Sequence, residues 1–144
     1  MEQNYKNHVR YYAPHHFIFL PLIFLLVCFN VYKVFTVAEN SGVWRMLALL
    51  SFCILYLAVM LRQHYALGNQ NRIIRIEFRL RYFELFGKNS LEVEKQLSFG
   101  QIAALRFAPD EEFKTLLDRT LNENLNSKEI KQSIRNWQAD YMRV

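Results

Sequence analysis

The chain has 144 residues, 52% of them hydrophobic, and a formal net charge of +5. This length allows one modest domain, or a small domain with a membrane anchor, and excludes a multi-domain enzyme. Residues 1–81 contain nine Lys or Arg and three Asp or Glu, whereas residues 82–144 contain nine and ten. The excess positive charge therefore belongs to the first part, and the near-neutral tail argues against nucleic-acid binding.

Two apolar segments follow residues 1–16. Residues 17–38 contain only one charge, Lys33, and as a helix they would extend ~33 Å, enough to cross a hydrocarbon core of ~30 Å. Residues 43–62 form the second segment, with Arg45 near its start and Arg62 at its end. A buried core helix and a cleaved signal peptide are the alternatives. Two such runs joined by residues 39–42 alone favour a transmembrane hairpin.

The charges flanking these segments predict their orientation. The loop at residues 39–42 carries only Glu39, whereas basic residues precede the first segment and follow the second. By the positive-inside rule, both termini are expected in the cytoplasm. Arginines after the second segment are candidates to contact anionic lipid headgroups. These candidates are Arg62, Arg72, Arg75, Arg79 and Arg81.

Residues 63–87 present an ambiguity between helix and strand. Apolar and polar residues alternate strictly from Ile74 to Tyr82, which is typical of a strand. A second pattern, at helical spacing, consists of Ile73, Ile76, Leu80 and Phe83. We favour a helix that continues the second membrane segment and stops at Gly87, with this second pattern as its packed face.

Capping signals predict three short helices in the tail, residues 88–144. The signals are Ser98 with Gln101, the acidic run 110–112 behind Pro109, and Ser127. The last helix is expected to carry an apolar stripe that ends at Trp137. These helices are expected to pack into a small subdomain below the membrane.

The candidate chemistry is limited to histidines, which all fall at the predicted inner membrane face. They are His8, His15, His16 and His64. Histidine ligates metals and haem iron, so a metal or haem module is one alternative, and interfacial hydrogen bonding is the other. No catalytic motif and no zinc spacing is present, and we expect neither an enzyme nor a resident cofactor.

Polar and aromatic residues at special positions are candidates for protein contacts. Asn30 and Ser51 are polar residues within apolar segments, where a side chain needs a partner. They mark either the seam between the two helices or a contact with another membrane protein. Arg135, Trp137 and Tyr141 are candidate contacts for a partner, because these residue types anchor interfaces.

Four segments carry a resemblance to known sequences. They are YKNHVRYYAPHHF at residues 5–17, NRIIRIEFRLR at 71–81, QIAALRFAPDEE at 101–112 and EIKQSIRNWQADYMRV at 129–144. Together they resemble a family of small bacterial proteins of unknown function with two predicted membrane spans. The resemblance implies a bacterial origin, a location in the cytoplasmic membrane and a helical tail.

The sequence thus predicts an all-α membrane protein, a transmembrane helical hairpin with a small cytoplasmic helical subdomain. The expected function is that of a small, non-catalytic accessory or scaffolding subunit of a larger bacterial inner-membrane protein complex. Its expected partners are a larger integral membrane complex and anionic lipids. The alternatives are the His-based metal or haem module and a self-assembling, membrane-shaping homo-oligomer.

Overall fold

A computed structural model of the protein describes residues 3–8 and 11–140, and within these residues it contains helices and no strand. The all-α prediction is therefore confirmed for the described residues. The α-helices are α1 (Leu20–Thr36), α2 (Ser41–Met60), α3 (Leu67–Phe86), α4 (Leu91–Glu94), α5 (Phe99–Leu105), α6 (Asp110–Glu123) and α7 (Ser127–Ser133). Two π-helical turns, Pro14–Phe19 and Leu61–Ala66, precede α1 and α3.

The chain divides into two compact units. The hairpin unit consists of Tyr11–Gly68, and the core unit consists of the described residues 3–8 and 69–140. The core unit therefore combines residues that precede the hairpin in the sequence with residues that follow it.

The hairpin unit consists mainly of α1 packed against α2. A short connection joins the two helices, and Asn40 ends it in a left-handed conformation, with φ of 55°, which Asn tolerates better than most residues. Ile23 and Asn30 are buried in α1, as is Ser51 in α2, whereas most large apolar side chains of both helices are exposed. Helices Pro14–Thr36 and Ser41–Phe86 are both long and apolar enough to cross a membrane.

Helix α3 resolves the ambiguity between helix and strand. The alternating segment lies inside α3, as the helical interpretation predicted, and Gly87 ends the helix with φ of 63°. A left-handed glycine after the last helical residue is a common stop signal.

The prediction of which α3 face is packed was wrong. Ile74 and Phe78 are 6% and 5% exposed, whereas Ile76 and Phe83 are 60% and 59% exposed. The core unit packs around the Ile74 and Phe78 face and leaves the other apolar face uncovered. Buried residues from α3, the later helices and the connections between them form one core: Ile74, Phe78, Leu97, Ile102, Ala104, Leu105, Ala108, Phe113, Leu116, Leu117 and Ile130.

The capping predictions were partly right. Ser98 and Gln101 form the predicted capping box at the start of α5. The predicted cap of α7 was wrong by one residue, because Asn126 caps it and forms a second capping box with Glu129. The predicted last helix was also too long, since α7 ends at Ser133, before Trp137. The short helix α4 had not been predicted.

Candidate functional site

An uncovered apolar face on α3 is the principal candidate for an interaction site. We call it the α3 stripe and define it as Ile73, Ile76, Leu80 and Phe83. Each of these side chains is between 54% and 60% exposed. Large apolar side chains exposed singly are ordinary, but a continuous row of them marks an interaction surface.

Charged residues border the α3 stripe with opposite sign on its two edges. At 100° per residue, Arg72 and Arg79 lie along one edge and Glu77 and Glu84 along the other. All four are exposed. The stripe is therefore an apolar row with one basic and one acidic border.

An ion-pair cluster fixes which face of α3 turns inward. Glu94, on α4, is 8% exposed and accepts from Arg75 Nη1 at 2.8 Å. Its carboxylate also accepts from Arg79 Nε at 2.6 Å and from Arg79 Nη2 at 2.9 Å. A carboxylate held by two guanidinium groups makes strong charge-assisted bonds. The cluster therefore anchors α4 to α3.

The same cluster perturbs the titration of Glu94. The hydrogen bond from Arg79 is the largest influence and lowers the pKa of Glu94 below its ordinary value, with Arg75 acting in the same direction. Partial burial opposes this shift because it disfavours the charged carboxylate. The charged form is thus the one that the fold stabilises.

A second anchor joins α3 to the start of α6. Arg81 donates to Asp110 Oδ1 at 2.7 Å and to the carbonyl of Ala108 at 2.6 Å. Its guanidinium also lies over the ring of Phe113, 4.5 Å from the centroid, a cation–π arrangement. Asp110 was predicted only to complement the helix dipole, so its pairing was missed.

The arginines predicted to contact lipid have divided roles. Arg75, Arg79 and Arg81 hold the core unit together through the contacts above. Arg72 is exposed in the core unit, and Arg62 is half-buried in the hairpin unit. Headgroup contact stays a prediction for these last two residues.

The histidines are divided between the two units. His8 belongs to the core unit, and its Nδ1 lies 2.7 Å from the carbonyl of Tyr5. Its Nε2 lies 3.1 Å from Lys131 Nζ, so the ring donates through Nδ1 and accepts through Nε2. The His8 ring also packs against the rings of Phe107 and Trp137, with 5.7 Å between ring centroids in each pair. His8 therefore helps to join residues 3–8 to the rest of the core unit.

The other three histidines belong to the hairpin unit. The rings of His15 and His16 lie 5.2 Å apart and nearly perpendicular. His16 Nδ1 contacts the carbonyl of Tyr12 at 3.0 Å, and the Nε2 atoms of both rings are buried with no hydrogen-bond partner. His64 is exposed in the π-helical turn before α3. Among the described residues, no group of three or more His, Cys, Asp or Glu is placed to hold a metal.

Asn30 lies at the seam of the hairpin, the first of its two predicted roles. Its side chain is 4% exposed, and Nδ2 donates to Ser51 Oγ at 3.2 Å and to the carbonyl of Leu47 at 3.3 Å. Ser51 Oγ in turn donates to the carbonyl of Ala48 at 3.0 Å. Because its amide is used within the hairpin, this structure favours the seam over a contact with another protein.

The candidate contacts near the C-terminus have different environments. Trp137 is half-buried and stacks on Phe107, with 4.5 Å between ring centroids. Arg135 has an exposed side chain, and its backbone N–H donates to Glu112 at 2.9 Å. Tyr141 lies outside the described residues. The packing of Trp137 shows a structural role in the core unit.

Sequence reasoning missed several residues that hold the core unit together. Glu112 accepts from the backbone N–H groups of both Arg135 and Asn136 at 2.9 Å, which fixes the segment after α7. Gln3 and Asp140 exchange two hydrogen bonds, of 2.7 and 3.2 Å, although they lie 137 residues apart. Neither contact has a local sequence signal.

The fold and this surface define an all-helical protein with two long apolar helices and a helical core unit. The chain belongs to the family of unknown function DUF6526, which it matches over residues 1–144. Neither the curated proteins nor the solved structures contain a match to this chain.

Proposed function

We propose that this chain is a small, non-catalytic accessory or scaffolding subunit of a larger bacterial inner-membrane protein complex. The single observation that carries this proposal is the α3 stripe, which leaves four large apolar side chains uncovered on a folded unit. An uncovered apolar row favours the docking of another protein. The bacterial setting rests on the resemblance described for the sequence.

Membrane anchoring is part of this proposal and is supported by the exposure of the two long helices. Only 11% and 6% of their most apolar segments are buried. A core helix of a water-soluble protein would instead be covered by other elements. The Asn30 amide is hydrogen-bonded at the α1–α2 seam. This pairing also fits a hydrocarbon environment, because an unpaired polar group is costly there.

The orientation is supported by connectivity as well as by charge. The core unit uses residues 3–8 and 69–140, which precede and follow the hairpin. A hairpin that crosses the bilayer twice returns the chain to the side from which it started. Both segments then reach the same side, which the positive-inside rule assigns to the cytoplasm.

Purification of the full chain from its native membranes tests the proposed function. The tagged chain is extracted in mild detergent, and co-purifying proteins are identified by mass spectrometry. We expect a stable companion protein with the wild-type chain and its loss with Ile76→Asp, which places a charge in the α3 stripe. Lys114→Asp, at an exposed position of α6, is the matched control and should retain the companion.

Two results decide the outcome. Retention of the companion by Ile76→Asp, with unchanged helix content by circular dichroism, would show that the α3 stripe is not the docking surface. Recovery of the wild-type chain free of any other protein would overturn the role as an accessory subunit.

A further inference from the structure

We propose that the α3 stripe binds the same stripe of a second copy of this chain, with the two α3 helices parallel and in register. This inference rests on the proposed docking role of the stripe and names its occupant, so that the subunit joins the larger complex as a dimer and loses its companion when Ile76→Asp separates the two copies. Three observations support it: the spacing of the stripe residues, the opposite charges of its two edges, and the ability of Arg79 in the basic edge to bind a further carboxylate.

The spacing of the α3 stripe is that of a coiled coil. Its residues follow one another at intervals of three, four and three, so Ile73 and Leu80 occupy a positions and Ile76 and Phe83 occupy d positions. A strict a and d row is the narrow seam along which helices pair, whereas a helix that packs on a globular core has a wider apolar face. The buried face of α3 already serves the core unit.

The charged edges distinguish a parallel partner from an antiparallel one. Arg72 and Arg79 occupy g positions, and Glu77 and Glu84 occupy e positions. In a parallel in-register pair, each g residue faces the e residue five positions later in the other copy. Arg72 then faces Glu77 of the second copy, and Arg79 faces Glu84.

An antiparallel pair would bring like charges together. In that arrangement g positions face g positions and e positions face e positions, so Arg would face Arg and Glu would face Glu. Like-charge contacts across an interface are unfavourable and reject wrong arrangements. The pattern on α3 therefore selects the parallel arrangement of a chain with itself.

Arg79, one of the two arginines of the basic edge, is held in place by the core unit. Arg79 uses Nε and Nη2 to bind Glu94. Nη1 can still donate to a carboxylate of a second copy, because the Arg79 side chain is 48% exposed. A guanidinium already held by one carboxylate loses less conformational freedom when it binds another.

The size of the stripe indicates that pairing depends on the membrane. Four half-exposed side chains over two heptads would bury roughly half of the ~800 Å² per partner that a stable soluble complex buries. Anchoring both copies in one bilayer raises their effective concentration.

Site-specific crosslinking of the full chain in membranes tests this inference. Cys28 and Cys53 are replaced by Ala, and one cysteine is introduced in each variant. A short bis-maleimide is expected to link Ile76→Cys into homodimers and to do the same for Phe83→Cys. The control is Leu85→Cys, which lies on the side of α3 away from the stripe. It is expected to give about a tenth of the dimer yield.

A mixture of two tagged chains tests the direction of pairing. One chain carries Ile73→Cys and the other carries Phe83→Cys. An antiparallel pair would link these two chains to each other in high yield and would leave Phe83→Cys without homodimers, because the two copies of residue 83 would lie ~15 Å apart along the helix axes. That result would overturn the proposed arrangement.

Charge reversal provides an independent test, in which single reversals should lower the dimer yield and the combined reversal should restore it. Arg72→Glu or Glu77→Arg alone is expected to lower the dimer yield of the Ile76→Cys chain roughly tenfold, because each places like charges opposite one another. The combined reversal restores opposite charges and should restore the yield. Equal yields from single and combined reversals would contradict the proposed pairing.

The crosslinking result and the purification described above are distinguishable. Homodimers without any companion protein would support this inference and overturn the role as an accessory subunit. Absence of homodimers, together with a companion protein lost from Ile76→Asp, would overturn this inference and support that role.

Discussion

Asn30 and Ser51 lie on different helices of the hairpin, and the Asn30 amide donates to the Ser51 hydroxyl over 3.2 Å. Both side chains are buried among largely apolar helices. A polar pair of this kind fixes which faces of two otherwise apolar helices meet, because any other rotation leaves the amide unpaired. The bond therefore determines the register of the hairpin as well as contributing to its stability.

Replacement of Asn30 by Leu is expected to destabilise the hairpin. The loss of an interhelical hydrogen bond between apolar helices costs about 0.6 kcal/mol, and up to ~1.7 kcal/mol. Thermal unfolding in detergent, followed by circular dichroism, measures the change. Phe35→Leu is the control, because Phe35 is 84% exposed. Equal losses of stability for the two variants would show that the seam bond contributes nothing specific.

Replacement of Glu94 by Gln is expected to destabilise the core unit by about 1–3 kcal/mol, because hydrogen bonds to charged groups are among the stronger ones. Urea unfolding followed by Trp137 fluorescence, in a Trp44→Phe background, reports on this unit. Glu92→Gln is the control, because Glu92 pairs with Lys95 and both side chains are exposed. Its effect should stay below about 0.5 kcal/mol.

The lowered pKa of Glu94 predicts that the core unit loses stability in acid. A carboxyl whose pKa is lower in the folded state contributes stability that is fully present above its unfolded pKa, about 4.3. That contribution is lost as the pH falls through the folded pKa. The pKa of Glu123 is also lowered, by Arg119, and acts in the same direction, weakly because the pair is exposed.

Melting temperatures measured across this pH range test the prediction. The wild-type melting temperature should fall as the pH drops below about 4.3. The melting temperature of Glu94→Gln should be lower at neutral pH and should fall less in acid, because this variant lacks the carboxyl group that titrates. A parallel pH dependence in the two proteins would assign the acid sensitivity to other carboxyl groups.

The helix caps give a matched comparison between neighbouring positions. Asn126→Ala removes the side chain that accepts from the backbone N–H groups of Lys128 and Glu129 and should cost about 1 kcal/mol. Ser127→Ala lies inside α7 and should cost much less. Urea unfolding measures both variants, and a larger loss from Ser127→Ala would contradict the capping assignment.

Much of the secondary structure could be predicted because its signals are local. Gly87 and the capping box at Ser98 act within a few residues of the positions they affect. The cap of α7 also had a local signal, since Asn126 and Glu129 have the spacing of a capping box. The adjacent Ser127 is also a favourable capping residue, because Ser and Asn are similarly effective caps.

The packed face of α3 could not be chosen from local sequence. The helix has two apolar rows, one with Ile74 and Phe78 and one with Ile76 and Phe83, and both have helical spacing. The choice depends on Glu94 and Asp110, which bind arginines of α3 from 15 to 29 residues away. Such distant pairings leave no periodic signal, so the uncovered row that forms the candidate site was predicted as core.

Gln3 and His8 belong to a unit most of whose residues are synthesised after the hairpin. At 5–20 residues per second, the contacts of His8 with Trp137 wait on the order of ten seconds after His8 itself is made. Until then His8 lacks its contact with Trp137, and Gln3 still lacks Asp140. The core unit can therefore close only after the hairpin and the segment that follows it have been made, and a chain truncated before Phe107 lacks the ring against which His8 packs.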